Sequence, residues 1–278
     1  MRKSLKRTFT ENKMTTACLE PELFDRACRL VSGTSSTRDS IGILREKSVH
    51  AVLKSYYVPD EGCHEIIMHN LDDSIPRRFV ADALFQGEIF EIQSKSFYTM
   101  KDKLSAFLAG YDVTIVYPIA VNKMIHFINK TTGEVQKITA SPLHGCLYDL
   151  VPELYGISSF LGNERLHIIC CFINMEEYRL LNTSKKKQAV KSDKMPTELL
   201  GEFRIDKPAD YINLLPGVTD CRQDCNILPK AFTTTDVAKL SGVHISYAQM
   251  LLKLLYNIGL VERTGKQGNS YVYAITLP

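Results

Sequence analysis

The sequence predicts an α/β protein, a mixed sheet flanked by helices, followed by a small α+β domain at the C-terminal end. Three observations predict it. Between about residues 40 and 130, segments of helical and strand periodicity alternate as helix, strand, strand, strand, helix, strand. Two runs, 112–120 and 166–173, are apolar almost throughout, as strands buried on both faces are. After the Lys-rich stretch 183–194, the pattern becomes helix, turn, helix and two short alternating strands. The expected boundaries are a polar extension over 1–40, a main domain over 41–182, a linker over 183–196 and a second domain with its lead-in over 197–278.

Taken in order, the first 40 residues are polar apart from a helix expected near 22–31, and the sequence at 33–37 reads as a flexible joint. Ile43, Leu44, Val49, Val52, Leu53 and Tyr56 recur at helical spacing, so a helix is expected over 42–57, stopped by Pro59-Asp60-Glu61-Gly62. A strand is expected near 65–69. Two short apolar strands over 79–93 fold back at Gln86-Gly87, and a helix follows near 99–108. The β-branched run 112–120 predicts a buried strand. Segments 123–128 and 134–138, joined by Asn129-Lys130-Thr131-Thr132-Gly133, predict a hairpin. Residues 142–182 are expected to add a helix and the strand at 166–173.

A hydrophobic content of 45% and a charged content of 23% suit a globular protein, and the longest apolar runs are too short to span a bilayer. The basic N-terminal residues Arg2, Lys3, Lys6 and Arg7 are not followed by an apolar segment, so no signal peptide is expected. The eight cysteines then read as reduced thiols, giving a cytoplasmic expectation. Cys221 and Cys225 lack a second pair to complete a zinc site, and Cys170 and Cys171 read as core. Net charge is +3, and residues 183–278 carry +4 of it, leaving −1 for the rest. Neither a phosphate loop nor a Gly-x-Ser-x-Gly elbow is present. His126, His144 and His167 stand singly among apolar residues and read as structural.

The strongest chemical signal is Asp82 on one short apolar strand and Glu91 on the next. Burying a carboxylate costs several kcal/mol unless a partner or a metal compensates, so two in adjacent strands need a reason. Alternation places Glu91, Gln93 and Lys95 on one face and turns Ile92 away. On the preceding helix, Glu46, His50 and Lys54 form a stripe at a spacing of four. Glu65 reads as an exposed edge residue; Lys101 and Tyr117 are further neighbours to consider.

The order of elements around Asp82 and Glu91-Ile92-Gln93 resembles the core of the PD-(D/E)XK nuclease superfamily, the restriction-endonuclease-like fold, over about 40–130. The resemblance implies Mg²⁺ (or Mn²⁺) held by Asp82, Glu91 and the Ile92 carbonyl. It also implies Glu46 as an additional helical acid. Gln93 stands where that superfamily usually has Lys; it can orient water but brings no charge, and Lys95 is the expected source of that charge.

In the tail, Thr233-Thr234-Thr235-Asp236 opens a short helix that stops at Gly242. A second helix over about 246–257 buries Ala248, Leu251, Leu252 and Leu255, and strands follow around a turn at 266–270. This resembles a winged helix-turn-helix domain. The resemblance implies that His244, Ser246, Tyr247, Gln249 and Lys253 on the second helix, with Arg263 and Lys266 on the wing, contact nucleic acid. The joint expectation is a metal-dependent DNA endonuclease, with RNA and a homodimer left open and no membrane partner. The alternative is a non-catalytic DNA-binding regulator on a degenerate nuclease core.

Overall fold

Helix α1 (Pro21–Thr34) and helix α2 (Ser48–Tyr57) pack against each other through Phe24 and Tyr56, whose rings meet edge to face at 5.4 Å. The computed structural model describes residues 19–34, 48–68, 78–181, 190–218 and 228–276. The first part of the expected 42–57 helix, with Glu46, lies outside them, as do most of the 33–37 joint, Cys221 and Cys225. Val49, Val52, Leu53 and Tyr56 face inward at helical spacing, as the sequence predicts.

The helices lie on a mixed sheet. Strands β1 (His64–Met68), β2 (Phe79–Phe85) and β3 (Glu88–Ile92) form an antiparallel meander. Gln86 and Gly87, with φ of +51° and +87°, make the two-residue turn whose backbone matches strand twist. Helix α3 (Lys101–Leu108) carries the chain to β4 (Asp112–Asn129), parallel to β3. Strand β5 (Val135–Ala140) pairs with the far half of β4, and helix α4 (Leu150–Gly156) leads to β6 (Leu166–Leu181), parallel to β4. The last strand, β7 (Val190–Ile205), runs antiparallel to β6 at the edge. One apolar layer joins Val49, Val52 and Leu53 to Ile92, Val116 and Cys171; the other joins Leu104 and Phe107 to Ile89, Ile115 and Cys170. Strands β4 and β6 are thus covered on both faces, which explains their continuous apolar runs.

Three expectations change here. The strand at 112–120 and the first strand of the 123–128 hairpin are one 18-residue strand, because Pro118 and Asn122 do not interrupt the pairing with β6. The expected linker at 183–196 and lead-in beyond it give way, from Val190 to Ile205, to an edge strand of the main sheet. An edge position accommodates Pro196 and the charged residues that made this stretch look like a break, with register shifts along the pair. Lys95 lies past the end of β3, in a bend where Ser96 adopts φ +60°, so it does not continue the strand face of Glu91.

The C-terminal segment forms β8 (Phe232–Thr233), α5 (Thr234–Ser241), α6 (Ile245–Asn257), β9 (Val261–Gln267) and β10 (Ser270–Ile275), with a sheet order of β8-β10-β9. Thr233 and Asp236 form a capping box, and Gly242 ends α5 at φ +68°. Helix α6 buries Ala248, Leu251, Leu252, Leu254 and Leu255 in the same apolar cluster as Leu147, Leu150 and Leu214. The C-terminal segment therefore shares its core with the main sheet and its helices.

Candidate functional site

The β2–β3 ladder pairs Phe85 with Glu88, Leu84 with Ile89 and Ala83 with Phe90. Just beyond its last pair, side chains take over the main-chain donors. The Ile92 N–H donates to Asp82 Oδ2 at 2.8 Å, and the Asp82 N–H donates to Glu91 Oε1 at 3.2 Å. Each acid thus binds the backbone of the opposite strand, and the two carboxylates are held side by side. Helices from both layers reach the pair. His50 Nε2 of α2 lies 3.0 Å from Asp82 Oδ2, and Lys103 Nζ of α3 lies 2.6 Å from Glu91 Oε2.

Burial and the neighbouring Asp82 charge push the Glu91 carboxyl up to about 7, against the pull of Lys103 and the Asp82 N–H. Burial opposes ionisation of Asp82 too. There the hydrogen bond and charge of His50, the Lys103 charge and the Ile92 N–H prevail, and its carboxyl is held below its ordinary value. Glu177 is a useful contrast. It is also fully buried, yet Lys123 at 2.9 Å and Arg179 at 2.7 Å outweigh its desolvation and hold it below the ordinary range. A buried acid serving structure has two cations here; Glu91 has one cation and an acid neighbour. Glu91 is thus short of positive charge, while Asp82 is not.

This arrangement has a pH signature. Folded Glu91 binds its proton up to about pH 7, whereas its ordinary value is 4.5, so the folded state holds more protons between those limits. Stability is therefore expected to fall as pH rises from about 4.5 to 7, by on the order of 3 kcal/mol. Asp82 acts in the opposite sense, its contribution being lost as pH falls through its depressed value. Urea denaturation across pH 4 to 9 checks this, and Glu91→Gln should flatten the decline above pH 4.5.

A cleft of about 410 Å³ is lined by His50, Ile92, Gln93, Lys95, Thr99 and others; it adjoins the pair through His50 and Ile92, which bond Asp82, and neither carboxylate lines it. The Gln93 N–H still donates to Val116 O at 2.9 Å, while its amide Nε2 donates to Lys95 O at 2.6 Å. Gln93 and Lys95 thus share the cleft wall, but neither touches the carboxylates. Lys101 sits 4.5 Å above the Tyr98 ring, the Tyr117 hydroxyl donates to Asp149 O, and Glu65 pairs with Lys54 at 2.5 Å. Sequence reasoning named Lys101 and passed over Lys103. The signal was there: Lys103 stands one turn before the buried Phe107, and its ammonium lies 5.5 Å from that ring. His144 and His167 bond main-chain carbonyls, in keeping with structural roles.

A second cleft, about 300 Å³, lies between α6 and the C-terminal sheet. It brings together Gln249, Lys253 and Arg263 with Thr234, Tyr271 and Tyr273. The other expected contact residues are placed differently. His244 caps α6, its Nδ1 accepting from the Ser246 N–H, and Tyr247 packs partly against the core. Lys266 Nζ lies 5.1 Å over the Tyr271 ring; Arg263, in the cleft wall itself, is held among Tyr256, Tyr271 and Tyr273.

Among the described residues no group of three or more His, Cys, Asp and Glu side chains is arranged to hold a metal, and no helix is long and apolar enough to cross a membrane. Residues 47–206 match a family described as a domain of unknown function (DUF8091). No curated protein and no solved structure matches the chain.

Proposed function

The chain belongs to the DUF8091 family, and from this premise we propose that the acidic pair inside the family's span is the centre of a metal-dependent nuclease. In this reading the main sheet is a restriction-endonuclease-like core, and the C-terminal helices and sheet are a winged helix that engages DNA. The observation that carries it is the adjacency of two carboxylates, Asp82 and Glu91, of which the buried Glu91 is short of positive charge, next to His50 and Ile92 of an open cleft. Their donor set fits a hard divalent cation. Mg²⁺ is commonly held by one or two carboxylates, with water and substrate phosphate completing the shell, so a third acidic side chain is not required. Asp82, Glu91 and the Ile92 carbonyl would hold it. When bound, the ion would activate water and neutralise charge on the scissile phosphate.

The chain's own residues supply the rest. Lys103, on Glu91, keeps a positive charge beside the carboxylates where Gln93 brings none. His50 fixes the orientation of Asp82. With its amide nitrogen engaged by Lys95 O, Gln93 retains an acceptor oxygen able to orient a water in the cleft. The Lys95 ammonium, on the same wall, attracts the phosphodiester.

A non-catalytic DNA-binding role is the second reading. It is favoured by the 2.6 Å Lys103–Glu91 pair, a partner that can serve structure alone. Supercoiled plasmid incubated with Mg²⁺, with and without EDTA, separates the two. Metal-dependent nicking supports the first; DNA binding with no cleavage supports the second.

The winged-helix part of the reading makes a separate prediction. Lys253→Ala and Arg263→Ala are each expected to weaken duplex binding across sequences and to lower the salt slope by about one unit. Fluorescence anisotropy at several salt concentrations measures this, and unchanged slopes would remove α6 and β9 from the interface.

A further inference from the structure

We infer that a track for single-stranded DNA runs from the cleft lined by Gln93 and Lys95 to the C-terminal sheet. The inference rests on the nuclease reading and names its substrate class. Four exposed tyrosine rings, Tyr98, Tyr155, Tyr256 and Tyr271, are each paired with a cation. Tyr98, 66% exposed, lies beside the cleft-lining Ser96 and Thr99, and carries Lys101 4.5 Å from its ring centre. Its turn is fixed against α4: the Phe97 N–H donates to Glu153 Oε2 at 2.8 Å. Gly156 packs so closely there that a Cβ would come within 3.0 Å of the Tyr98 nitrogen.

Tyr155, the residue before that glycine, is the next ring. Lys253 of α6 donates to its hydroxyl at 2.8 Å and lies 5.3 Å from its ring centre. Lys253 also lines the second cleft with Arg263, whose guanidinium is 4.4 Å from the Tyr256 ring and 4.0 Å from the Tyr271 ring. Tyr98 is thus linked to Tyr155 through the Gly156 contact, and Tyr155 to the second cleft through Lys253.

The chemistry matches an unpaired strand better than a duplex. Single-stranded binding sites combine aromatic rings, on which bases stack, with cations that follow the backbone. A duplex hides its base faces within the stack and can use only the cations. Among the described residues, Lys101, Lys253, Arg263 and Lys266 form no ion pair with a carboxylate. They lie instead against tyrosine rings, which leaves their charge to an incoming anion.

The test is anisotropy of the full chain in EDTA, with a labelled oligothymidylate of about 20 nucleotides and a duplex of equal length. The single strand is expected to bind about 10-fold more tightly or better. Tyr98→Ala and Tyr155→Ala should each weaken it by about 5- to 100-fold, and Tyr98→Phe by no more than about 2-fold. Single-strand binding unchanged in both alanine variants, or duplex binding as tight as single-strand binding, would overturn the track. Cleavage is scored separately. Mg²⁺-dependent cleavage of plasmid or oligothymidylate with one of those binding results sinks the track and keeps the nuclease reading; tyrosine-dependent single-strand binding with neither DNA cut leaves the track as a binding site only and sinks the nuclease reading.

Discussion

Asp82→Asn is expected to abolish Mg²⁺-dependent cleavage, by about 10³-fold or more, while the protein stays folded. The amide is nearly isosteric and keeps an oxygen able to accept from the Ile92 N–H, which Asp82 Oδ2 does at 2.8 Å. What it removes is the negative charge that would bind the ion, and a 10³-fold loss corresponds to about 4 kcal/mol of transition-state stabilisation. Asp82→Ala is a poorer probe. It would leave the Ile92 N–H without its acceptor, at a cost of about 1–3 kcal/mol, and mix folding with chemistry. Plasmid nicking rates alongside thermal melting separate the two effects. Cleavage within about 10-fold of wild type would remove Asp82 from the site.

Lys103→Met should give the largest change in stability. Lys103 is the cation in direct contact with Glu91, whose residue is only 3% exposed. Removing one partner of a buried pair costs about 3–5 kcal/mol, because the other charge is left uncompensated. Here the loss has a pH dependence that identifies its cause. Glu91 can escape by taking up a proton, so the defect should be small near pH 5 and grow through neutrality. Adding Glu91→Gln to Lys103→Met should recover most of the loss at pH 8. Cleavage should also fall, by about 10²-fold, if the ammonium serves the phosphate as well as the fold. A pH-independent defect would mean that Lys103 acts through its packing on Phe107.

Much of this architecture could be read from the chain because it follows short-range rules. The turn at Gln86-Gly87, the capping box of Thr233 and Asp236 and the Gly242 stop are each written in a few adjacent residues. The apolar runs of β4 and β6 announce a sheet covered on both faces. Strand β7 was not legible, because an edge strand satisfies half its hydrogen bonds with solvent and tolerates polar residues that resemble a linker. The site divides in the same way. Asp82 and Glu91 stand out as acids among apolar neighbours, a purely local anomaly. Lys103 meets Glu91 only after α3 folds back across the sheet, and His50 meets Asp82 from the opposite layer. Lys95 illustrates the limit of alternation, which fails once the strand ends at Ile92 and Ser96 turns the chain. Glu46 lies outside the described residues.

The central claim is that Asp82 and Glu91 together bind a divalent cation. Calorimetric titration of Mn²⁺ into the full chain at pH 6 and pH 8, beside Asp82→Asn and Glu91→Gln, tests it most directly. The wild-type protein should bind one ion, more weakly at pH 6, where Glu91 must first release its proton, and both variants should lose that binding. Equal Mn²⁺ binding by all three proteins, or none by the wild type at either pH, would contradict it.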